Sequence, residues 1–171
     1  MKKHSDYITH INNKEDEVYL RTPHFPVNMR LFKTSKEYKN IILQQCEYIR
    51  KLCITKMEGY KKPHGMSSAN AGLSFNIIGI VVNRNKHDET CLIMINPKII
   101  DNFGASLRAL SNCGSLTLDN PIPVVRMNII KVKYYDTCGK ERIENFDRRL
   151  GGFTIQHEID HNNGILITDK R

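Results

Sequence analysis

The stretch His157-Glu158-Ile159-Asp160-His161 constrains this chain more than any other, because it places two imidazoles four residues apart. Positions i and i+4 of an α-helix lie on one face, so both histidines can bind one metal ion from the same side. Glu158 projects about 100° away from His157 and can exchange a proton with water on that metal. The pattern predicts a helix and indicates metal-assisted hydrolysis, provided that another segment supplies a third ligand.

Length and composition restrict the class of protein. The 171 residues favour a single domain over residues 1–171, and the 40% apolar content suffices for a folded core. No run of about 18 apolar residues is present, so we expect no membrane association through a spanning helix. The N-terminus lacks the apolar core of a signal peptide. Five scattered cysteines do not indicate a disulfide framework and favour a reducing compartment.

The net charge of +8 favours loose association with nucleic acids or other polyanions. The lysines and arginines are spread widely along the chain, and no RNA-binding motif with interleaved aromatic residues accompanies them. Two interpretations stay open, a solvated basic surface and a weak contact with the ribosome.

The hydrophobic pattern of the first third predicts one long helix. Residues 1–33 show no sustained period and are expected to form an irregular N-terminal arm. Thr34 begins a capping-box sequence, and apolar residues then recur with a helical period over residues 35–57.

The remaining two thirds predict strands that precede a last helix. Four segments are expected to form strands, which are short at residues 77–82, 91–95 and 141–146 and long at residues 124–135. Residues 101–121 are mostly polar and are expected to form a long loop. Asp147 is expected to cap the last helix, which carries the histidines and ends before Gly164. Because strands and helices are segregated, the predicted class is α+β.

Three stretches resemble motifs of the peptide deformylase family. Residues 156–166, which read QHEIDHNNGIL, resemble its third motif, Q-H-E-x-D-H-L-x-G. Residues 70–77, which read NAGLSFNI, are similar to its first motif, G-x-G-L-A-A-x-Q. Ile95-Asn96-Pro97 matches the I-N-P that ends a strand in that family. The resemblance covers about residues 15–169 in the right order.

The resemblance implies a small α+β metalloenzyme whose antiparallel sheets pack around a C-terminal metal-binding helix. Such an enzyme removes the N-formyl group from the initiator methionine of nascent polypeptides, and we expect a monomer in the bacterial cytoplasm. One divalent ion, Fe²⁺ or Zn²⁺, is held by two histidines and a cysteine, here His157 and His161 with Cys113. Glu158 handles the proton of the attacking water, and Asp160 is a supporting group rather than a ligand.

The second motif leaves the third ligand open. The family pattern is E-G-C-L-S, whereas this chain reads Ser111-Asn112-Cys113-Gly114-Ser115. Counting back from Arg126 places Gly114 on the ligand position, and a one-residue insertion restores Cys113 instead. We take Cys113 as the ligand, with Gly114 and Ser115 next to the substrate.

Ile77 stands where the first motif has the glutamine that stabilises the oxyanion. Since isoleucine donates no hydrogen bond, we expect reduced activity. By the same resemblance, Gly72 and Leu73 contact the substrate. Four residues are expected to line the pocket for the methionine side chain: Ala71, Leu150, Phe153 and Thr154.

Three hypotheses remain from the sequence. The first is an active deformylase with weakened oxyanion stabilisation. The second is a catalytically degenerate deformylase-like protein that binds metal or peptide without turnover. The third is a different metallohydrolase on the same scaffold.

Overall fold

A single antiparallel sheet organises the computed structural model, which describes residues 18–55, 62–116 and 120–170. Within these ranges the strands follow chain order in the sheet, and each pairs with the next. They are β1 (Gly65–Ser67), β2 (Ile77–Val82), β3 (Thr90–Ser111), β4 (Ile122–Tyr135) and β5 (Glu141–Asp147). The helices are α1 (Met29–Thr34), α2 (Lys36–Ile54) and α3 (Gly152–Asn162), followed by a 3₁₀ helix (Ile167–Lys170). The predicted α+β class is confirmed. Across the described part of the chain, no helix has the length and apolarity needed to cross a membrane.

The two long helices pack on opposite faces of the sheet. Because successive side chains of a strand alternate, Ile77 belongs to the core cluster that packs under α2, whereas Ile78 and Ile80 pack under α3. Gly79 allows the close approach of α2, since a Cβ there would lie 2.7 Å from Ile49 Cγ2. The α2 face and the α3 face are therefore separate environments.

The N-terminal segment is more ordered than its sequence indicated. Residues 1–17 lie outside the described ranges, but the irregular arm expected over 1–33 is wrong at Met29–Thr34, which is helical. Asn28 caps this helix by accepting hydrogen bonds from Arg30 N and Leu31 N, each 3.1 Å long. The cap of α2 is Ser35 rather than Thr34, and α2 ends at Ile54.

Strand β3 replaces most of the long loop expected over residues 101–121. Its second half is exposed, although Phe103, Ala105, Leu107 and Ala109 alternate with glycine or polar residues, which is a strand pattern that the loop expectation overlooked. Pairing with β4 stabilises this half of the strand and continues across three register shifts. Gly104 adopts a positive φ of 76° near one of these shifts. Residues 117–119 lie outside the described ranges. The consequence is that β3 delivers Cys113 to the end of the sheet, two residues beyond Ser111.

The ends of α3 differ in how well the sequence predicted them. Gly151, at φ 86°, occupies the N-cap, while Asp147 accepts a hydrogen bond from Leu150 N in the preceding turn. Asp147 is therefore not the cap. The expected end at Gly164 is confirmed, because this residue has φ 74° and donates its N–H to His161 O.

Two polar anchors fix α3 against β4. The Gln156 carboxamide bonds both backbone groups of Met127, accepting from N and donating to O at 2.9 Å each. The Asp160 carboxylate forms ion pairs with the buried Arg126 of β4 and, at 3.0 Å, with Lys170. Asp160 thus points away from the histidine face and acts structurally, as its position between the histidines suggested.

We predict that Asp160→Asn lowers the free energy of unfolding by about 3–5 kcal/mol, because Arg126 is left in the interior without its counter-charge. Asp169→Asn is the matched control, since Asp169 pairs with Arg21 at the surface and should cost less than about 1 kcal/mol. Urea denaturation of the metal-free chain measures both. Equal losses would show that the buried ion pair does not anchor α3.

Candidate metal centre and active-site cavity

Cys113, His157 and His161 converge on one point between the end of β3 and the inner face of α3. The distance from Cys113 Sγ to His161 Nε2 is 3.2 Å, and that from His161 Nε2 to His157 Nε2 is also 3.2 Å. All three potential ligand atoms lie within 4.8 Å of one another. The structure therefore brings together the three residues expected to hold the metal.

The protonation states of these groups follow from their burial. Burial lowers the pKa of His161 to about 4 and the pKa of His157 well below its usual range. Both imidazoles are consequently neutral at pH 7, which is the form that binds metals. Burial raises the pKa of the Cys113 thiol to about 12, against hydrogen bonds to the sulfur from Ser115 and Leu116.

This donor set fits a divalent transition metal. Two neutral imidazoles and one sulfur, which is deprotonated on metal binding, suit Zn²⁺ or Fe²⁺ and do not suit Mg²⁺ or Ca²⁺. In a tetrahedral site with metal–nitrogen bonds of about 2.0–2.1 Å, the nitrogens lie about 3.3 Å apart, close to the observed separation. His161 Nδ1, which is buried without a hydrogen-bond partner, leaves Nε2 as the nitrogen turned toward the other two donors.

Cys113 and Gly114 differ in what they present to the histidines. The Cys113 sulfur faces the histidines, whereas a Cβ built on Gly114 would meet open space. The loop between Cys113 and Arg126 therefore contains the extra residue that the spacing required. Gly114 lines the cavity beside the sulfur, and Ser115 is fully buried behind it.

A cavity of about 710 Å³ opens onto these three residues. Its walls come from the segment around β1, the end of β3, strand β4 and helix α3. Among its lining residues are His64, Gly65, Met66, Asn70, Ala109, Ser111, Cys113, Gly114, Arg126, Phe153, Thr154, His157 and Glu158. Among the described residues that line it, one side chain is a carboxylic acid. It is Glu158, and burial raises its pKa to about 8 against hydrogen bonds from Ser67.

Asn70 supplies an amide at the place where Ile77 was expected to stand. Asn70 lines the cavity, and its Nδ2 donates a hydrogen bond to Ser115 Oγ. Ile77 is fully buried in the cluster under α2, on the other face of the sheet, and does not line the cavity. The interpretation that isoleucine replaces the glutamine is therefore not supported by the geometry.

A sequence signal for Asn70 exists if the first motif is aligned seven residues earlier, so that its glutamine falls on Asn70 instead of Ile77. Residues 65–70 read GMSSAN, which places a glycine, two small residues and a side-chain amide at the spacing of G-L-A-A-x-Q. In this alignment the motif ends in the turn that precedes β2. The segment 70–77 also resembled the motif because it lies between the first helix and the first predicted strand.

Four other expected substrate contacts lie elsewhere. Gly72 and Leu73 do not line the cavity, and Leu73 O accepts a hydrogen bond from Tyr19 Oη at 2.8 Å on the far side of the loop. Ala71 packs in the cluster under α2. Leu150 is 58% exposed in the turn before α3. Of the four residues expected in the methionine pocket, Phe153 and Thr154 line the cavity.

Asn162 ties the Asn70 loop to the metal-binding helix. Its Oδ1 accepts a hydrogen bond from Ala69 N at 3.3 Å, and its Nδ2 donates to Ile77 O at 3.0 Å. The third motif has leucine at this position, so sequence comparison gave no reason to expect a polar anchor. These hydrogen bonds hold the loop against the helix.

Comparisons with known proteins identify similar sequences. The sequence profile described as Polypeptide deformylase matches residues 23–171. A peptide deformylase of Prochlorococcus marinus (strain AS9601) is 35% identical over 127 residues, covering 72% of this chain. That alignment spans 62% of the relative's own length. A peptide deformylase of Karelsulcia muelleri (strain GWSS) is 32% identical over 146 residues, covering 75% of this chain and 76% of that protein.

Solved structures support the same fold. A probable peptide deformylase from Synechococcus phage S-SSM7 has a TM-score of 0.71 at 24% identity, covering 96% of this chain and 98% of that one. The peptide deformylase of Thermotoga maritima has a TM-score of 0.64 at 23% identity, covering 95% of each chain. The profile match over most of the sequence, together with relatives above 30% identity, shows that this chain belongs to the polypeptide deformylase family.

Proposed function

We propose that this protein is an active, metal-dependent deformylase that removes the N-formyl group from the methionine of nascent polypeptides. The observation that carries the proposal is the convergence of Cys113, His157 and His161 beside Glu158 at the wall of one cavity. Three ligands that leave a fourth position open toward a cavity are typical of catalytic rather than structural metal sites.

The residues around the cavity have separate roles in amide hydrolysis. A bound divalent cation supplies Lewis-acid polarisation of the formyl carbonyl and a lowered pKa for the attacking water. Glu158 takes the proton that the water loses and delivers it to the methionine amine as the carbon–nitrogen bond breaks. The Asn70 amide and the Gly114 backbone N–H donate to the oxygen that gains negative charge. Formate and a free amino terminus are the products.

The same positions favour activity over the degenerate alternative. The case for degeneracy depended on a displaced cysteine and on a missing oxyanion donor. Cys113 faces the histidines, and Asn70 supplies a side-chain amide in the cavity. This chain therefore has a residue for each supposed loss: Cys113 as the third ligand and Asn70 as the oxyanion donor.

Metal content tests the ligand set. We predict that Cys113→Ser lowers metal affinity by more than about 100-fold, because losing an outer partner of a ligand already costs about 10–100-fold. Cys138→Ser is the matched control, since Cys138 is exposed. Stoichiometry is measured on anaerobically purified protein and after titration with Zn²⁺. Full metal content in the Cys113→Ser variant would exclude Cys113 as a ligand.

Turnover of formyl-Met-Ala-Ser tests the reaction. We predict that the wild-type chain deformylates this peptide and that Glu158→Ala loses roughly 10²–10⁴ in kcat while keeping its metal. Glu47→Ala, on the solvent side of α2, is the control and should keep full activity. A metal-loaded wild-type chain without turnover would favour the degenerate alternative.

The oxyanion donor is tested by a pair of variants. Asn70→Ala should lower kcat by roughly 10²–10³, because one donor to the oxyanion is removed. Ile77→Gln should bring no gain in activity and should lower stability by about 2–4 kcal/mol, because it buries an amide in the apolar cluster under α2. A rise in activity in Ile77→Gln would reverse the assignment of the two positions.

A further inference from the structure

Ser67 is the one described hydroxyl that joins the two groups assigned to the chemistry above. It is fully buried at the end of β1. Its Oγ forms a hydrogen bond with Asn70 Oδ1. Its Oγ also accepts a hydrogen bond from Asn70 N at 3.2 Å, and its hydroxyl and backbone N–H lie beside the Glu158 carboxyl group, whose pKa they lower. The first-motif pattern has alanine at the corresponding place in the reading G-M-S-S-A-N, so this hydroxyl is a departure of this chain.

The hydrogen bonds continue on the other side of Asn70. Its Nδ2 donates to Ser115 Oγ, and the Ser115 hydroxyl also forms a hydrogen bond with the Cys113 sulfur. A continuous row of side chains thus runs from Glu158 through Ser67, Asn70 and Ser115 to Cys113. All members of this row are buried, and the two serines are fully buried, so their hydrogen bonds are shielded from bulk water.

The row determines which end of the Asn70 amide faces the reaction centre. A carboxamide has an acceptor oxygen on one side and two donor hydrogens on the other, and its terminal torsion is soft. If it turned by 180°, it would present a lone pair to the developing oxyanion. Such a contact is repulsive, whereas the donating orientation is stabilising. The Ser67 hydroxyl fixes the oxygen end, because it carries a proton that the oxygen can accept.

We propose that Ser67 is a positioning residue that locks the Asn70 carboxamide in its donating orientation, with Ser115 holding the opposite end. The proposal rests on the proposed function in one respect, namely that Asn70 donates to the oxyanion. It does not depend on a role of Ser67 in holding the metal, since its hydrogen bonds involve Asn70 and Glu158.

A double-mutant cycle on the zinc-loaded chain tests this role. Ser67→Ala should lower kcat for formyl-Met-Ala-Ser by roughly 10- to 100-fold, with KM changed less than about twofold. Ser68→Ala is the matched control, because this neighbouring serine is equally buried but donates to Ile77 O and should keep kcat. In the Asn70→Ala background, Ser67→Ala should have no further effect. An undiminished effect in that background, or equal effects of the two serine variants, would overturn the proposal.

A second measurement is independent of turnover. In ¹H–¹⁵N spectra of the metal-free chain, the side-chain amide pair of Asn70 is identified by its loss in Asn70→Ala. Ser67→Ala should shift this pair or broaden it beyond detection, and Ser68→Ala should leave it in place. An unchanged pair in Ser67→Ala would overturn the proposal even if the enzyme is active. An inactive wild-type chain would instead defeat the proposed function, while the spectra would still decide the role of Ser67.

Discussion

The contact of the Cys113 sulfur with the His161 imidazole is the constraint on which the active site depends. It joins the end of β3 to α3 across 48 residues of sequence. Two neutral imidazoles and a buried thiol gain little from one another, and their loss of hydration is unfavourable. The rest of the structure must therefore hold them together until a cation binds. Gln156 and the Arg126–Asp160 pair do this for α3, and the pairing of β3 with β4 does it for Cys113.

Local features of the sequence were sufficient to predict helix α3. The i, i+4 spacing of His157 and His161 depends on helix geometry alone, and the end at Gly164 depends on a positive φ. Neither requires knowledge of the rest of the chain. The N-cap was wrong because Gly151 has no side chain to recognise, so the acidic Asp147 nearby was taken in its place.

Features that depend on distant parts of the chain were not visible in the sequence. The second half of β3 is exposed and alternates apolar with polar residues only weakly, so its assignment as a strand depended on a pairing partner, β4, that the sequence did not identify. Strand β2 is apolar on both faces, so its sequence does not tell which face meets α2. For this reason the pattern around Ile77 was compatible with an active-site position until the sheet showed that Ile78, not Ile77, faces α3.

The departures of this chain from the family pattern are connected with one another. Asparagine is one methylene shorter than glutamine, so Asn70 reaches the same centre only if its backbone lies closer to α3. Asn162, in place of a leucine, bonds Ala69 N and draws that loop onto the helix. A shorter amide on a fixed loop then needs partners at both ends. Ser67, which departs from the alanine of the first motif, supplies one, and Ser115, which matches the serine of the second motif, supplies the other. The proposed oxyanion site therefore accounts for these departures as one rearranged set rather than as separate losses, because Ser67, Asn70 and Ser115 satisfy one another's buried polar groups.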